Sequence, residues 1–460
     1  MHPSYFEAAD PARMAAEFPI GDEFLRVFKS LSRDELRARQ EKQFRQLMAR
    51  AWRTGFYRRH WGAHGIEAGD IRTLDDLPKL PTYDKTQLME SIANHPPLGD
   101  FHAMDTYPAG AHPPIVFHTT SGTTGRPQPL LFGPWSREVQ NLLLARIYLL
   151  QGMRSSDVVH SVYGHGMING GHYVREAVVH WTNALFMSAG TGVETRSLNQ
   201  VQLMRDFGAT VIVGFADYIK RLAEVARENG IEPGRDIKIR LICGHLGRES
   251  REQMSAMWGG AAVHDWYGVG DTGAIAAEGP DGDGLYVMED AQFLEICDID
   301  TGAPLADGEQ GDMVCTSLFK HDIYPIVRFN THDVSKYKTG QSSLGLNLRR
   351  IEGFLGRSDN MVKLRGINVF PHAVGPILQN RTEFNGQFLC KVSRDTTGRD
   401  DMLVLCEVTG PADVDAYKQA LKASMGVEVD VQFVTPGALA PLTQIEQRQK
   451  PIRLVDERFV

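Results

Sequence analysis

The sequence predicts an α/β fold: a large N-terminal domain of layered, mostly parallel sheets and helices with a β-rich subdomain, followed by a small mobile α+β C-terminal domain. Three observations carry that expectation. From about residue 110, short apolar runs alternate with helical stretches, the layering of strands and the helices that cover them. After Pro280 the texture turns to strands broken by Gly/Asp turns. The length of 460 residues exceeds what one ordinary core encloses, so two or more domains are expected.

Taken in order, residues 1–60 read as helical. Ser32-Arg33-Asp34-Glu35 places a cap serine before an acid three residues on, and leads through Leu36 into a helix reaching Trp52. Acids interleave with its arginines, so a solvated amphipathic face is favoured over a membrane or nucleic-acid surface. Val158–Val162, Ala184–Ser188, Thr210–Gly214 and Ile239–Cys243 read as strands, with helices over Leu198–Phe207 and Ala216–Asn229 between them. The turns Gly282-Asp283-Gly284, Asp300-Thr301-Gly302 and Asp307-Gly308 punctuate a β-rich subdomain over 284–355. The last hundred residues or so read as strand, helix, strands, helix, strand. The expected division is 1–356 for the large domain and 357–460 for the small one.

Composition excludes several classes. Hydrophobic residues are 42% and charged residues 23%, as in ordinary globular chains. A net charge of −8 argues against a nucleic-acid binder. No apolar run is long enough to span a bilayer and no basic-then-apolar leader is seen, so a cytoplasmic protein is expected. The five cysteines are scattered without a CxxC pair, which suits reduced core thiols, and no structural metal is expected.

The segment with the most chemistry in it is His118-Thr119-Thr120-Ser121-Gly122-Thr123-Thr124-Gly125-Arg126-Pro127. Its glycines allow backbone N–H groups to approach an anion, its hydroxyls donate, and Arg126 offers a fork suited to phosphate oxygens. It lacks the Gly-Lys-Ser/Thr ending of the common P-loop. Alone, it reads equally as a polar Gly/Thr turn.

Further segments narrow the choice. These are Gly55-Phe56-Tyr57-Arg58, Leu74-Asp75-Asp76-Leu77-Pro78-Lys79-Leu80-Pro81, Trp266-Tyr267-Gly268-Val269-Gly270-Asp271, Pro325–Asp333, Gly356-Arg357-Ser358-Asp359, Lys363–Pro371 and Lys450. In this order and spacing the chain resembles the adenylate-forming (acyl-CoA synthetase) superfamily, and within it the phenylacetate–CoA ligases, over nearly its whole length. The resemblance implies two half-reactions: a carboxylate attacks the α-phosphate of ATP to give acyl-AMP and pyrophosphate, then CoA thiolate displaces AMP. ATP, Mg2+ and CoA are the implied cofactors, and a small-molecule carboxylic acid the other substrate. A homodimer is a family-level expectation.

The same resemblance assigns roles. Ser121, Gly122, Thr123, Thr124, Gly125 and Arg126 would hold the β,γ-phosphates, with Thr124 among the catalytic set. Tyr267 would stack on or flank the adenine beside Gly268, or else be a core tyrosine. Asp271 stands where the family has glutamate, as catalytic residue and Mg2+ partner; the plainer reading is a turn aspartate. Asp333 would accept from the ribose hydroxyls. Arg357 would reach the ribose or phosphate, Asp359 would be the hinge of the C-terminal domain, and Gly366 would let the pantetheine arm pass. Lys450 would bridge the carboxylate and the α-phosphate, offsetting charge as two anions approach. Its context, Gln447-Arg448-Gln449-Lys450, departs from the family's Gly-Lys, but Arg453 and Leu454–Arg458 fix the register.

The acyl pocket implied by the family involves Tyr163, His165, Met167, Phe215, Ala216, Gly244 and His245. Histidines at 165 and 245 depart from the family pattern and suggest a polar-substituted aromatic acid. Two other functions compete with the CoA ligase: an adenylating enzyme that passes the acyl group to an amine or a carrier-protein thiol, and a nucleotide-binding protein without catalysis.

Overall fold

A computed structural model describes residues 4–108, 110–120, 127–247, 249–359, 362–365, 367–395, 400–445 and 451–458. The chain gathers into two compact units, one of Met1–Ser188 with His264–Gly353 and one of Ala189–Val263 with Phe354–Val460. Its mixture of α-helices with parallel and antiparallel sheets is the α/β architecture expected.

In the first unit the helix Arg33–Ala51 begins where the sequence places it. Ser32 caps it: Glu35 N donates to Ser32 Oγ (3.2 Å) and Ser32 N to Glu35 Oε2 (2.9 Å), satisfying two backbone donors that helix geometry leaves open. Phe44, Leu47 and Met48 of this helix pack with Tyr57, Trp61 and Leu77 in one hydrophobic core. Val116–Thr119 and Pro129–Phe132 pair antiparallel, so the hairpin holds both ends of the glycine/threonine-rich stretch. Pro134 opens the following helix, Pro134–Leu150, at a position where a missing N–H costs nothing. That helix is buried nearly throughout, and its arginines are paired accordingly. Arg137 meets Glu176 (2.6 Å) and Arg146 grips Asp290 through two bonds (2.8 and 2.9 Å).

Strands Val158–Ser161 and Leu185–Ser188 run parallel, joined through the helix Asn169–Trp181. An antiparallel ladder follows, Ala262–Val269 with Gly273–Glu278, then Leu285–Val287, then Arg350–Ile351. Gln292–Cys297, Gln310–Ser317 and Phe329–Lys336 form a second antiparallel set, the β-rich region expected over 284–355. Strands, helices and turns thus fall within a few residues of their sequence expectations.

In the second unit Val211–Phe215 and Leu241–His245 are parallel, with helices Ser197–Asp206 and Ala216–Glu228. The C-terminal part centres on the antiparallel pair Phe384–Arg394 and Asp400–Val408, flanked in parallel by Leu454–Asp456 and Asp430–Val434. Phe388, Val404, Tyr417 and Leu421 fill its core. All five cysteines are buried and reduced; burial pushes the Cys315 and Cys406 thiols up to about 12. Among the described residues no helix is long and apolar enough to cross a membrane.

A further ionic tie in the first unit is made by a histidine. His332 sits in the left-handed region (φ 56°), its Nε2 2.7 Å from Asp84 Oδ2 and its Nδ1 3.4 Å from Asp312 Oδ2. Hydrogen bonds to Asp312 and Asp84 lift the imidazolium to about 10. A folded-state pKa raised above the ordinary 6.5 contributes stability that is full below 6.5 and lost as pH rises through about 10. His332→Asn, which keeps a residue tolerant of positive φ, is therefore expected to lower the urea midpoint most below about pH 6.5. The gap to the wild type should close towards about pH 10; a gap constant over that range would refute the charged clamp.

Candidate active site

The first unit assembles a polar cluster under the hairpin. Thr120 N donates to Gln128 O (3.0 Å) and Gln128 N donates to Thr120 Oγ1 (3.1 Å), closing the stem of the loop. Gln128 is fully buried (0% exposed), and its Nε2 donates to Asp271 Oδ1 at 2.7 Å. The Tyr324 hydroxyl donates to the same oxygen at 2.7 Å. Asp271 is 6% exposed, and two donors on one oxygen compensate its removal from water. Both of these donors reach Oδ1. No group of three or more His, Cys, Asp or Glu able to hold a metal occurs among the described residues. A single carboxylate nevertheless fits Mg2+, which is ordinarily held by one or two carboxylates together with substrate phosphates and water.

Asp333 is placed by a second pair. The Tyr267 hydroxyl lies 2.8 Å from Asp333 Oδ2 and 3.1 Å from Thr331 Oγ1, and Asp333 N donates to Thr331 Oγ1 at 3.1 Å. The Tyr267 ring is buried in the core with Ile275 and Leu294. A bulge shifts the ladder between Tyr267 and Gly268, and a Cβ on Gly268 would come within 2.4 Å of Gly273 O. Only glycine lets the strand turn there, which aims the Gly270-Asp271 corner.

The Pro325–Asp333 segment is braced from below by the N-terminal motifs. Tyr57 OH bonds Tyr83 OH (2.7 Å) and donates to Pro325 O (2.8 Å); Asn330 N donates to Tyr83 O (2.8 Å). The buried Arg328 guanidinium reaches Glu295 (3.0 Å), Gly302 O (2.9 Å) and Leu80 O.

His118 leaves the hairpin towards the Tyr163–Gly171 turn, where Thr119 N donates to Met167 O (2.8 Å). Its ring stacks on His172 (4.8 Å), and His172 meets His165 edge-on (5.5 Å). His172 Nε2 lies 3.0 Å from Gly166 O. Burial, with Arg137 and His172 nearby, pushes the His118 imidazolium down to about 4, so this ring is neutral at physiological pH. Tyr163 is buried, His165 half-buried, and Met167 51% exposed.

In the second unit Phe215 and His245 are register partners whose rings stack at 5.0 Å. Gly244 presses against the neighbouring backbone, since a Cβ there would meet Gly214 O at 2.5 Å, and Ala216 is buried at the start of its helix. Arg357 and Asp359 are joined to each other by two bonds (2.7 and 2.5 Å). Ser121, Gly122, Thr123, Thr124, Gly125, Arg126, Gly366 and Lys450 lie outside the described residues.

Several residues of this site were not singled out in the sequence. Gln128 carried one signal: a polar residue between the loop and the apolar run Pro129–Phe132. Tyr324, Lys320 and His172 carried none beyond their residue type. Lys320 is fully buried, and burial pushes its ammonium down to about 7, with Asp322 and Asp271 pulling the other way.

Residues 366–458 match the family model for the AMP-binding enzyme C-terminal domain. The phenylacetate–coenzyme A ligase of Aromatoleum evansii is 29% identical, over 94% of this chain and 97% of that protein. That of Pseudomonas putida is 32% identical, over 75% of each. In fold, the chain is similar to a 2-hydroxyisobutyryl-CoA ligase in the postadenylation state, with a TM-score of 0.83 at 23% identity, over 95% of this chain and 92% of that one. Asp271 tied to the loop stem and Asp333 held by Tyr267 thus occur in a chain that belongs to the phenylacetate–CoA ligase family, AMP-forming acid–thiol ligases that work with ATP, Mg2+ and CoA.

Proposed function

We propose that this chain is an ATP-dependent CoA ligase for an aromatic acid bearing a polar substituent, converting acid, ATP and CoA to acyl-CoA, AMP and pyrophosphate through an acyl adenylate. The observation that supports it most is the Gln128 bridge. One buried amide joins the stem of the glycine/threonine-rich loop to the Asp271 carboxylate, so the elements suited to phosphates and to their cation are set by one another.

In the first step a carboxylate oxygen bonds to the α-phosphorus and the bond to the bridging oxygen of pyrophosphate breaks. The protein's work is positioning and charge compensation. Ser121–Arg126 hold the β,γ-phosphates. Asp271 is the residue that would hold Mg2+, which would supply positive charge to offset that of the phosphates. Asp333, oriented by Tyr267, accepts from the ribose hydroxyls, and Gly268 allows the backbone to pass close to the base. Lys450, carried on a mobile lid formed by 357–460, draws the two anions together. In the second step the CoA thiolate sulfur bonds to the acyl carbon and AMP leaves with the electron pair of the C–O bond. For that step the lid turns about Asp359, whose bonds to Arg357 are exchanged, and Gly366 lets the pantetheine arm through.

The choice of acid is supported by the imidazoles. His118, His172 and His165 stand together in one unit, and His245 stacks on Phe215 in the other. Rings of this kind offer both apolar faces and hydrogen-bonding edges, which favours a hydroxyl- or amino-bearing aromatic acid over plain phenylacetate. The same reading has the enzyme acting as a cytoplasmic homodimer.

Lys450→Ala is expected to cut acid-dependent pyrophosphate release by about a hundredfold or more while leaving CoA attack on supplied acyl-AMP unchanged. Undiminished pyrophosphate release would remove Lys450 from the first step. A panel of aryl acids, followed by pyrophosphate release with and without CoA, should favour hydroxy- or amino-substituted acids. A clear preference for phenylacetate or a fatty acid would overturn the polar pocket.

A further inference from the structure

Lys320 takes part in none of these roles. It lies just past the strand Gln310–Ser317, is fully buried, and its Nζ has no hydrogen-bond partner among the described residues. Three aromatic rings lie against it, Phe132 at 4.7 Å, Tyr324 at 5.4 Å and Phe319 at 5.8 Å from Nζ to ring centroid. The carboxylates that attract it are engaged elsewhere. Asp322 Oδ2 accepts from Ser136 N (3.0 Å) and its Oδ1 from Ile323 N (2.8 Å). Asp271 Oδ1 accepts from Gln128 and Tyr324. Arg137 adds repulsion.

An ammonium removed from water and held only by ring faces and occupied carboxylates costs folding stability, even allowing for the cation–π attraction. An unbranched apolar side chain of similar length would fill the same space without that cost. A residue that costs stability where it stands has its use in the site. Two of the three rings against Lys320, Phe132 and Tyr324, say which use. Phe132 ends the strand that returns from the loop, and the Tyr324 hydroxyl is one of the two donors to Asp271.

We propose that Lys320 is a positioning residue for adenylation: packed against the Phe132 and Tyr324 rings, it keeps the Tyr324–Gln128–Asp271 arrangement and the loop stem in place for the triphosphate, and its ammonium form offsets Asp271. It rests on the reading that Asp271 serves the adenylation step. Lys320 acts through Asp271 and Tyr324 and forms no bond with the reacting atoms.

The test is Lys320→Met in the full-length protein, read by thermal unfolding and by acid-dependent ATP–pyrophosphate exchange, alone and combined with Asp271→Asn. Lys320→Met should unfold at the wild-type temperature or about 2 °C or more above it. It should lower the exchange rate at saturating acid by about tenfold or more, with little change in the KM for the acid. In the Asp271→Asn background it should cost little further, because the two act as one unit. An exchange rate like the wild type's, effects that multiply with Asp271→Asn, or a lowered unfolding temperature that accounts for the lost activity would each overturn the proposal. If the wild type exchanges with no acid at all, the adenylation reading fails instead, and the unfolding comparison alone judges Lys320: a lowered temperature makes it an ordinary structural residue.

Discussion

A carboxylate buried against the stem residue Gln128 imposes the constraint around which the first unit is arranged. Asp271 has lost most of its water, and a carboxylate in that position needs donors or it destabilises the fold. Gln128 and Tyr324 meet the need on one oxygen. Each donor comes from a different part of the chain, so satisfying Asp271 fixes the end of the hairpin against the turn that carries Tyr324. The loop stem, Asp271 and the Pro325–Asp333 segment are thereby tied into one frame.

That frame has its own supports. Arg328 and the Tyr57–Tyr83 pair tie it to the N-terminal segments, which explains why two unremarkable stretches, Gly55–Arg58 and Leu74–Pro81, travel with the site motifs. His332 adds a charged clamp next to Asp333, joining Asp84 to Asp312. Asp333 is thereby held by its neighbour's ion pairs on one side and by Tyr267 on the other. Tyr57 and Tyr83 are buried among the rings of Phe56 and Trp61, which keeps water from their bond and strengthens it.

What was legible in the sequence was local. The Ser32 cap, the strand at Val158 and the β-rich stretch after Pro280 depend on spacings of a few residues, and the structure places each within a few residues of the expectation. The family motifs were legible because their order is specific. Side-chain partnerships were not. Gln128 and Asp271 are 143 residues apart, Tyr267 and Asp333 are 66 apart, and His332 and Asp84 are 248 apart. Nothing in the pattern near Tyr324 or Lys320 distinguishes them from other polar residues in buried segments. Tyr267 illustrates the limit: its type suited either an adenine platform or a core ring, and the structure gives its hydroxyl to Asp333 and its ring to the core.

One substitution isolates the bridge between the loop stem and Asp271. Gln128→Leu preserves bulk at a fully buried position while removing the amide that reaches Asp271. Acid-dependent ATP–pyrophosphate exchange in the purified wild type and in this variant, with folding checked by thermal unfolding, measures what the bridge does. The expected result is exchange in the wild type and a loss of about tenfold or more in a variant that remains folded. Exchange at the wild-type rate in folded Gln128→Leu would show that the loop and Asp271 do not depend on one another, and would contradict the account.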